Sequence, residues 1–330
     1  MAQYPEFVET YYSKGIFPII SKLLNTAFKW IPFSVGDLLY IALIVYVLRW
    51  VIKNVKRLRT HPKAWVLDVL SFVSLLYFMF HLFWGYNYYR VPLHTTLNLN
   101  PNYSTEQLKS VTHQLVLKTN KLHFAITHDS LLKTTLPYEF VELTDISQTG
   151  YSQLETLYPH FKHNGQNSKK SLFSIPLSYM GFSGYVNPIT LEAQINAQMP
   201  LNSMPTTIAH EQAHQLGYAA ENEANFIAFL ASIHNKNPYF NYAGYKIALR
   251  YCLQELSKRD SEAYESTLCA MNPGVLEDYK EAFEFWSAYN NPMEPLFKVF
   301  YSHFLKANNQ DKGIESYSYV VALLVDYLEE

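Results

Sequence analysis

The residues with the clearest capacity for chemistry lie between positions 208 and 226. His210, Glu211 and His214 form an HExxH pattern. On a helix, side chains four residues apart lie on one face, so His210 and His214 can direct two imidazoles to one point. Two imidazoles placed in this way are typical ligands of Zn²⁺. Glu211 lies between them and can act as a general base toward a metal-bound water.

The neighbouring residues predict that the HExxH pattern lies on a helix. Pro205 and Thr206 are typical of a helix start, and Gly217 can end the helix in a left-handed turn. Apolar residues then recur with helical spacing from Glu221 to His234, which predicts a second helix that returns beside the first. The alternative interpretation is a buried helix whose two histidines only satisfy hydrogen bonds.

A third ligand is expected, because a catalytic zinc usually takes three protein ligands and keeps one position open for water. Glu221 and Glu223 both begin the second predicted helix, and only one of them is expected to face the metal. The two side chains lie about 200° apart around a helix. On the residues alone, each is a candidate ligand.

The pattern resembles the active site of the gluzincin superfamily of metallopeptidases. In that superfamily the third ligand is a glutamate that opens a Glu-x-x-Ala-Asp/Asn pattern on the helix after HExxH, and this chain matches it at residues 221–225. The resemblance implies that Glu221 is the third ligand. It also implies that Asn225, one turn later, contacts a ligand histidine. Glu223 is then a packing or surface residue, and it remains the alternative ligand.

The composition points to a membrane protein rather than to a nucleic-acid-binding one. Charged residues and aromatic residues each make up 16% of the 330 residues, which is a low charge and a high aromatic content for a soluble domain. The net charge is -2 and no basic block surrounds the HExxH pattern, so nucleic acid is not an expected partner. Cys252 and Cys269 lack a metal-type spacing, and a cysteine-ligated zinc is therefore not expected.

Residues 1–34 are predicted to form an interfacial N-terminal segment. Its apolar run from Ile16 to Ile31 is interrupted by Pro18, Lys22 and Lys29, which favours a helix along the membrane surface over a helix across the membrane. A charged end before the run and a cleavage site after it are both missing, so the segment is expected to be retained.

Residues 35–87 are predicted to form two transmembrane helices. The runs Val35 to Ile52 and Ala64 to Phe83 are each close to the ~20 residues that cross a bilayer. The loop between them is basic and lacks acidic residues, which indicates a cytoplasmic position by the positive-inside rule. An aromatic stretch at residues 83–90 is typical of the exit from the bilayer. The alternative is a pair of buried core helices.

Residues 88–330 are long enough to hold a full core, and by this topology they lie outside the cytoplasm. Short β-like runs at 171–179, 181–186 and 188–196 predict a small sheet before the metal helix, and 138–143 is a further candidate strand. In zincins, such a strand borders the cleft and pairs with extended substrate. Helical spacing then predicts five C-terminal helices, at 245–256, 261–269, 275–289, 295–305 and 314–329.

Four residues just beyond the second metal helix are candidates for stabilising an oxyanion. Zincin sites often use a tyrosine or a histidine for this purpose. The candidates are His234, Tyr239, Tyr242 and Tyr245. The alternative for each of them is a packing role.

Taken whole, the chain resembles a bacterial membrane family with a domain of unknown function, whose members join two N-terminal spans to an extracytoplasmic HExxH domain. The resembling pieces are residues 33–37, 86–90, 191–193, 210–217 and 221–226. The resemblance implies a multi-pass protein of the bacterial cytoplasmic (inner) membrane. The expected fold is α+β and mostly helical, with two transmembrane helices followed by a zincin-like domain that has a small sheet and an HExxH active-site helix.

The expected function is that of a membrane-anchored zinc metallopeptidase. His210, His214 and Glu221 would hold Zn²⁺, and Glu211 would act as the general base in the hydrolysis of a peptide bond. Its expected partners are the lipid bilayer and a peptide or protein substrate. One alternative is a non-catalytic, zinc-stabilised membrane module that binds a cell-envelope partner. Another is an amidase that acts on cell-wall crosslinks.

Overall fold

The computed structural model describes residues 3–162, 168–310 and 317–329. It is mostly helical and has one three-stranded sheet, which confirms the coarse fold class predicted from the sequence. The helices are α1 (Pro5–Phe7), α2 (Phe17–Phe28), α3 (Val35–Asn54), α4 (Arg57–Thr60), α5 (Pro62–Phe83), α6 (Leu93–Leu97), α7 (Thr105–Thr127), α8 (Phe140–Leu157), α9 (Ser174–Met180), α10 (Met204–Gln215), α11 (Glu221–Ile233), α12 (Pro238–Arg259), α13 (Ser261–Cys269), α14 (Pro273–Ala288), α15 (Glu294–Ala307) and α16 (Tyr317–Glu329). The strands are β1 (Ser168–Lys170), β2 (Gly184–Val186) and β3 (Ala193–Ile195).

Helices α3 and α5 are the two predicted to cross a membrane, and both are long and apolar enough to do so. Only 11% and 6% of their most apolar stretches are buried, which does not fit a pair of core helices. Along their length they contact each other through two aromatic pairs. These pairs are Tyr46 with Phe72 and Trp50 with Trp65.

The N-terminal segment is a helix that packs along one face against the rest of the chain. A π-helical stretch joins α1 to α2, and Val8, Tyr12 and Phe17 are buried there. Glu9 accepts two hydrogen bonds of 2.9 Å from the guanidinium of Arg90, which lies just after α5. The opposite face of the segment exposes apolar side chains. The segment is therefore fixed to the folded part while it leaves an apolar surface open.

The sheet has the order β1-β3-β2, with β3 in the centre. β1 pairs with β3 in parallel, and β2 pairs with β3 in antiparallel fashion. The strand predicted at 188–196 is shorter than expected, and its three residues, Ala193–Ile195, are buried on both faces. Glu192 is buried and forms a 2.5 Å ion pair with Lys169. β2 lies at an edge of this sheet, next to the candidate site.

Two predicted strands are wrong. Residues 174–180 form α9, because the buried residues Ser174, Leu177 and Ser178 follow the three- and four-residue spacing of a helix face. Residues 140–143 begin α8, which starts with a capping box: the backbone N–H of Glu139 donates to Glu142 at 2.7 Å. Each segment is also a short apolar run, and a run of this kind is compatible with either a strand or a buried helix.

Helices α10, α11 and α12 lie at the centre of the largest apolar core, and α7, α8 and α16 pack around them. The C-terminal helices agree with the prediction to within a few residues, except that α12 begins earlier. Residues 314–316 of the last predicted helix lie outside the described part of the chain. Both cysteines are free thiols; Cys252 is buried and Cys269 is exposed.

Candidate metal centre

The HExxH residues lie on α10, and the next helix returns beside it. α10 has Pro205 in its first turn and is buried along almost its whole length. Gly217 follows it with a φ of 85°, a left-handed conformation that suits glycine. There is also no room for a side chain, since a Cβ at this position would lie 2.9 Å from the ring of Phe17. The chain reverses within a few residues, and α11 begins at Glu221.

This reversal brings three ligand groups together. Nε2 of His210 lies 3.3 Å from one carboxylate oxygen of Glu221, and Nε2 of His214 lies 3.7 Å from the other. One ligand atom from each residue falls within 4.8 Å of the other two. In a tetrahedral zinc site with bonds near 2.1 Å, ligand atoms are separated by about 3.4 Å. The geometry and the donor types therefore fit Zn²⁺, and no second group of this kind occurs among the described residues.

The second histidine is oriented by the backbone around it. Nδ1 of His214 lies 2.7 Å from the carbonyl oxygen of Tyr218, and this contact leaves Nε2 to face Glu221. Histidine ligands are commonly held in this way through their other nitrogen. Burial lowers the pKa of His214 to about 4, so the ring is neutral at pH 7, which is the form that binds a metal.

The other two ligand groups are coupled to each other. Burial disfavours the charged forms of Glu221 and His210, but the contact between the two side chains has the larger effect. The pKa of Glu221 falls to about 2, and the pKa of His210 is raised. Asn225 lies close enough for its side-chain amide to contribute to the raised pKa of His210. Nδ1 of His210 is buried without a hydrogen-bond partner. Asn225 thus lies beside His210, and its contact with a metal ligand stays a prediction.

Glu211 faces the same cavity as the ligands and is buried beneath β2. Its Oε2 atom has no hydrogen-bond partner among the described residues, and burial raises the pKa of this carboxyl to about 8. A Cβ at Gly184 of β2 would lie only 2.7 Å from Oε1 of Glu211. Glycine at position 184 therefore lets the strand approach the carboxylate closely. An unpaired carboxylate in such a place can accept and release a proton.

The cavity in front of these residues has a volume of about 790 Å³. It is bordered by residues 181–186, which include β2, and by α9 and α15 on the far side. Most of its lining is aromatic or aliphatic, as is usual for ligand sites with a few polar groups at their centre. His210, His214, Glu221 and Glu211 are among these polar groups, and the lining also includes Thr206, Thr207, Asn225, Arg250 and Lys298.

Tyr301 is a site residue that the sequence reasoning missed. It lies on α15 and lines the cavity, and its hydroxyl donates a 2.6 Å hydrogen bond to Oε1 of Glu221. It is 80 residues from Glu221 in the chain, and no local pattern around it marks a site. Only the packing of α15 over the cavity identifies it.

The four residues considered for stabilising an oxyanion have other contacts, and none of them lines the cavity. Tyr242 donates to Asp278 at 2.6 Å, and the ring of Tyr239 packs against Tyr138. His234 and Tyr245 are likewise engaged, with Tyr327 and Phe229 respectively. Their packing role is the one the structure supports.

Glu223 does not reach the metal group. It is buried, and its Oε1 accepts a 2.6 Å hydrogen bond from the backbone N–H of Leu93. Burial raises the pKa of this carboxyl to about 7. Two residues correspond to about 200° of helical rotation, which separates this side chain from that of Glu221. The alternative assignment of Glu223 as the third ligand is therefore not supported, and neither is an exposed surface role.

Comparison with protein families gives a coarse identity. Residues 12–325 match the family DUF3810, which is described as a protein of unknown function. The chain belongs to this family. The match covers both apolar helices, the sheet, and α10 and α11. No curated protein and no solved structure matches the chain. The resemblance to a family of unknown function is confirmed, and gluzincin-like chemistry stays a proposal.

Proposed function

We propose that this protein is a membrane-anchored zinc metallopeptidase of the gluzincin type, held in a bacterial cytoplasmic membrane with its zincin-like domain on the extracytoplasmic side. The observation that carries the proposal is the convergence of His210, His214 and Glu221 beside the unpaired carboxylate of Glu211, at one open cavity. A structural zinc site is closed by four protein ligands. Among the described residues this group has three, which leaves one coordination position free and favours catalysis over a non-catalytic zinc module.

His210, His214 and Glu221 would hold the metal, and a bound Zn²⁺ would supply Lewis-acid chemistry toward a water and the carbonyl of the substrate. Glu211 accepts a proton on its carboxylate and later donates it to the leaving amine. Tyr301 holds Glu221 through its hydroxyl.

β2 provides a surface for the substrate backbone. Within the described residues it pairs with β3 along one edge only, and residues 183–186 line the cavity. An extended peptide can add to such an edge through main-chain hydrogen bonds. This arrangement favours a polypeptide substrate. An amidase that acts on cell-wall crosslinks would use the same metal chemistry, and a substrate screen separates the two.

The proposal is tested by metal content and turnover of the purified full chain. We expect about one zinc per chain, kept in Glu211→Gln and lost in His214→Ala and in Glu221→Ala, because only the last two remove a ligand. Cleavage of peptides from a mixed library should be abolished in Glu211→Gln. The exposed residue Glu265 provides the matched control, and Glu265→Gln should cleave normally.

Two results would contradict the proposal. Cleavage by Glu211→Gln at the wild-type rate would exclude the general-base role. A folded wild-type chain that takes up no zinc would exclude the metal site altogether. If zinc were kept in Glu221→Ala, the third ligand would have to come from elsewhere.

A further inference from the structure

The cavity is bordered by the ends of both apolar helices. Tyr40 of α3 and Phe80 of α5 line it, together with Trp84, the residue that follows α5. Tyr40 is five residues from the start of α3 and Phe80 is three residues from the end of α5, which correspond to about 7.5 Å and 4.5 Å along a helix axis. α3 has 20 residues, about the 30 Å of a bilayer core. The cavity therefore reaches the depth at which these helices would enter the bilayer.

The metal-site helix rests directly on the end of α5. The indole Nε1 of Trp84 donates a 3.3 Å hydrogen bond to the carbonyl oxygen of His214. The two rings also meet edge to face, with centroids 6.0 Å apart. The first residue after α5 therefore contacts the proposed ligand His214 directly. No spacer domain lifts the site away from the apolar helices.

The start of α3 is fixed to the sheet by buried polar contacts. The backbone N–H groups of Val35 and Gly36 donate to the carboxylate of Glu192 at 3.2 and 2.6 Å. Asp37, which is also buried, accepts from Leu172 N–H at 2.6 Å and from the hydroxyl of Tyr185. Tyr185 belongs to β2. The strand that borders the cavity therefore has a fixed height relative to α3.

Helix α15 presents an apolar surface outward from the cavity. Leu296, Val299 and Phe300 are exposed, with Phe300 at 73%, and their spacing of three and four residues places them on one stripe. Phe304 follows Phe300 by four residues and, together with Tyr301, lines the cavity. The ring of Phe304 lies 5.9 Å from that of Phe80 in α5. The apolar stripe is therefore next to the end of an apolar helix.

The N-terminal segment adds a second stripe of the same kind. Ile19 and Leu23 of α2 are exposed, and Trp30 is 75% exposed only a few residues before α3 begins. Amphipathic helices with exposed apolar faces bind the surface of a bilayer. α2 packs in one apolar cluster with Trp84 at the end of α5, and α15 contacts Phe80 near the same helix end, which makes the bilayer crossed by these helices the fitting occupant.

We propose that the cavity cleaves polypeptides anchored in the same bilayer, at a bond only a few residues from the membrane surface and next to apolar side chains. The inference rests on the proposed peptidase function. The apolar lining suits aromatic or aliphatic side chains of the substrate, and the unpaired edge of β2 favours a polypeptide over a lipid. The lining includes Phe173, Leu177, Met180, Phe182, Val186 and Ile247.

A spacer series measures the height of the cleavage site. The full chain is reconstituted in vesicles of phosphatidylethanolamine and phosphatidylglycerol. Peptides rich in Phe and Leu carry a palmitoyl anchor and a Gly/Ser spacer of 3, 8 or 15 residues, and each has an unanchored counterpart. An extended spacer of 3 residues spans about 10 Å. We expect it to be cleaved within about threefold of the rate of the longest, because the site lies at the bilayer surface.

The anchored peptides should also be cleaved at least tenfold faster than their unanchored counterparts. The long-spacer peptide controls for concentration at the surface, because it is anchored equally. Cleavage that depends on Glu211 but requires a spacer of 8 residues or more would overturn the inference and leave the peptidase function intact. Equal cleavage without the anchor would do the same. Hydrolysis of the vesicle lipids in place of the peptides would also overturn it.

A second measurement needs no activity. In a Cys269→Ser background, Phe300→Cys on α15 and Glu265→Cys on α13 are each labelled with a fluorophore and placed in vesicles that contain nitroxide lipids. α13 packs on α7 and α12, away from the apolar helices. We expect lipid nitroxides to quench the label at position 300 at least threefold more than the label at 265. Equal quenching at the two positions would overturn the inference even if no peptide of the series were cleaved.

Discussion

Replacement of Gly184 by alanine tests the close packing of β2 on Glu211. A Cβ at position 184 would lie 2.7 Å from Oε1 and 2.9 Å from Cγ of Glu211. It would also lie 2.7 Å from the carbonyl oxygen of Gln194, which cannot retreat without loosening the pairing of β2 with β3. Well-packed interiors do not absorb such overlaps without movement. Either the carboxylate or the strand must therefore shift.

The cost is expected in both stability and catalysis. Overpacking of a buried position typically destabilises a protein by about 1–3 kcal/mol. A displacement of about 1 Å in a positioned catalytic group costs on the order of 100-fold in rate, and we expect kcat to fall by roughly this factor. The nearest atoms to the new methyl group include none of the three metal ligands. Zinc content should therefore stay at the wild-type value.

The assay combines thermal unfolding, zinc content and peptide cleavage by the full chain. Glu211→Ala removes the atoms against which the new methyl collides. The loss of stability caused by Gly184→Ala should therefore be smaller in that background, with a coupling of about 1 kcal/mol. The destabilisation that remains in this background comes from the contact of the new methyl group with the carbonyl oxygen of Gln194. A Gly184→Ala protein with wild-type kcat and wild-type unfolding temperature would refute the packing argument.

Two further predictions concern groups outside the HExxH pattern. Tyr301→Phe removes the hydrogen bond to the carboxylate of Glu221 but keeps the ring. Zinc affinity, measured by competition with a chelator, should therefore fall about 10- to 100-fold, while the unfolding temperature of the metal-free protein changes little. Unchanged zinc affinity would contradict the role of Tyr301 in holding Glu221. Burial opposes the charge of Glu9, but contacts with Arg90 and Lys14 lower the pKa of this carboxyl below 4.5. The charged Glu9 therefore stabilises the folded protein above pH 4.5, and this stabilisation is lost as the pH falls through the lowered pKa. Urea unfolding of Glu9→Gln should therefore lose part of the stability difference between pH 6 and pH 3 seen in the wild type, and an identical pH profile would exclude this contribution.

The convergence of His210, His214 and Glu221 could be predicted because its geometry is local. His210 and His214 share a helix face by their spacing, and Gly217 marks the turn that returns α11 to the same point. The choice of Glu221 over Glu223 also follows from helical rotation, once one face of α11 is known to meet α10. The apolar helices were predictable for a similar reason, since length and composition alone define them.

The surroundings of the site depend on contacts between distant segments, and local patterns do not contain these contacts. Tyr301 reaches Glu221 from a helix 80 residues later. The edge strand β2 has only three residues, and its neighbour α9 was predicted to be a strand. A short apolar run leaves both structures open until its packing partners are known. The buried pair of Lys169 and Glu192 was hidden for the same reason.

The polar contacts at the start of α3 explain why a buried charge is kept at the sheet. A buried ion pair such as Lys169 with Glu192 is weak support for stability, because desolvation offsets most of the attraction. Here Glu192 also accepts the first N–H groups of α3, which have no partner within their own helix. If the pair served stability alone, apolar residues of similar volume would replace it without loss. Such a replacement would leave the first N–H groups of α3 without an acceptor and would let this helix tilt against β2. The replacement should therefore change the height of the proposed cleavage site above the bilayer.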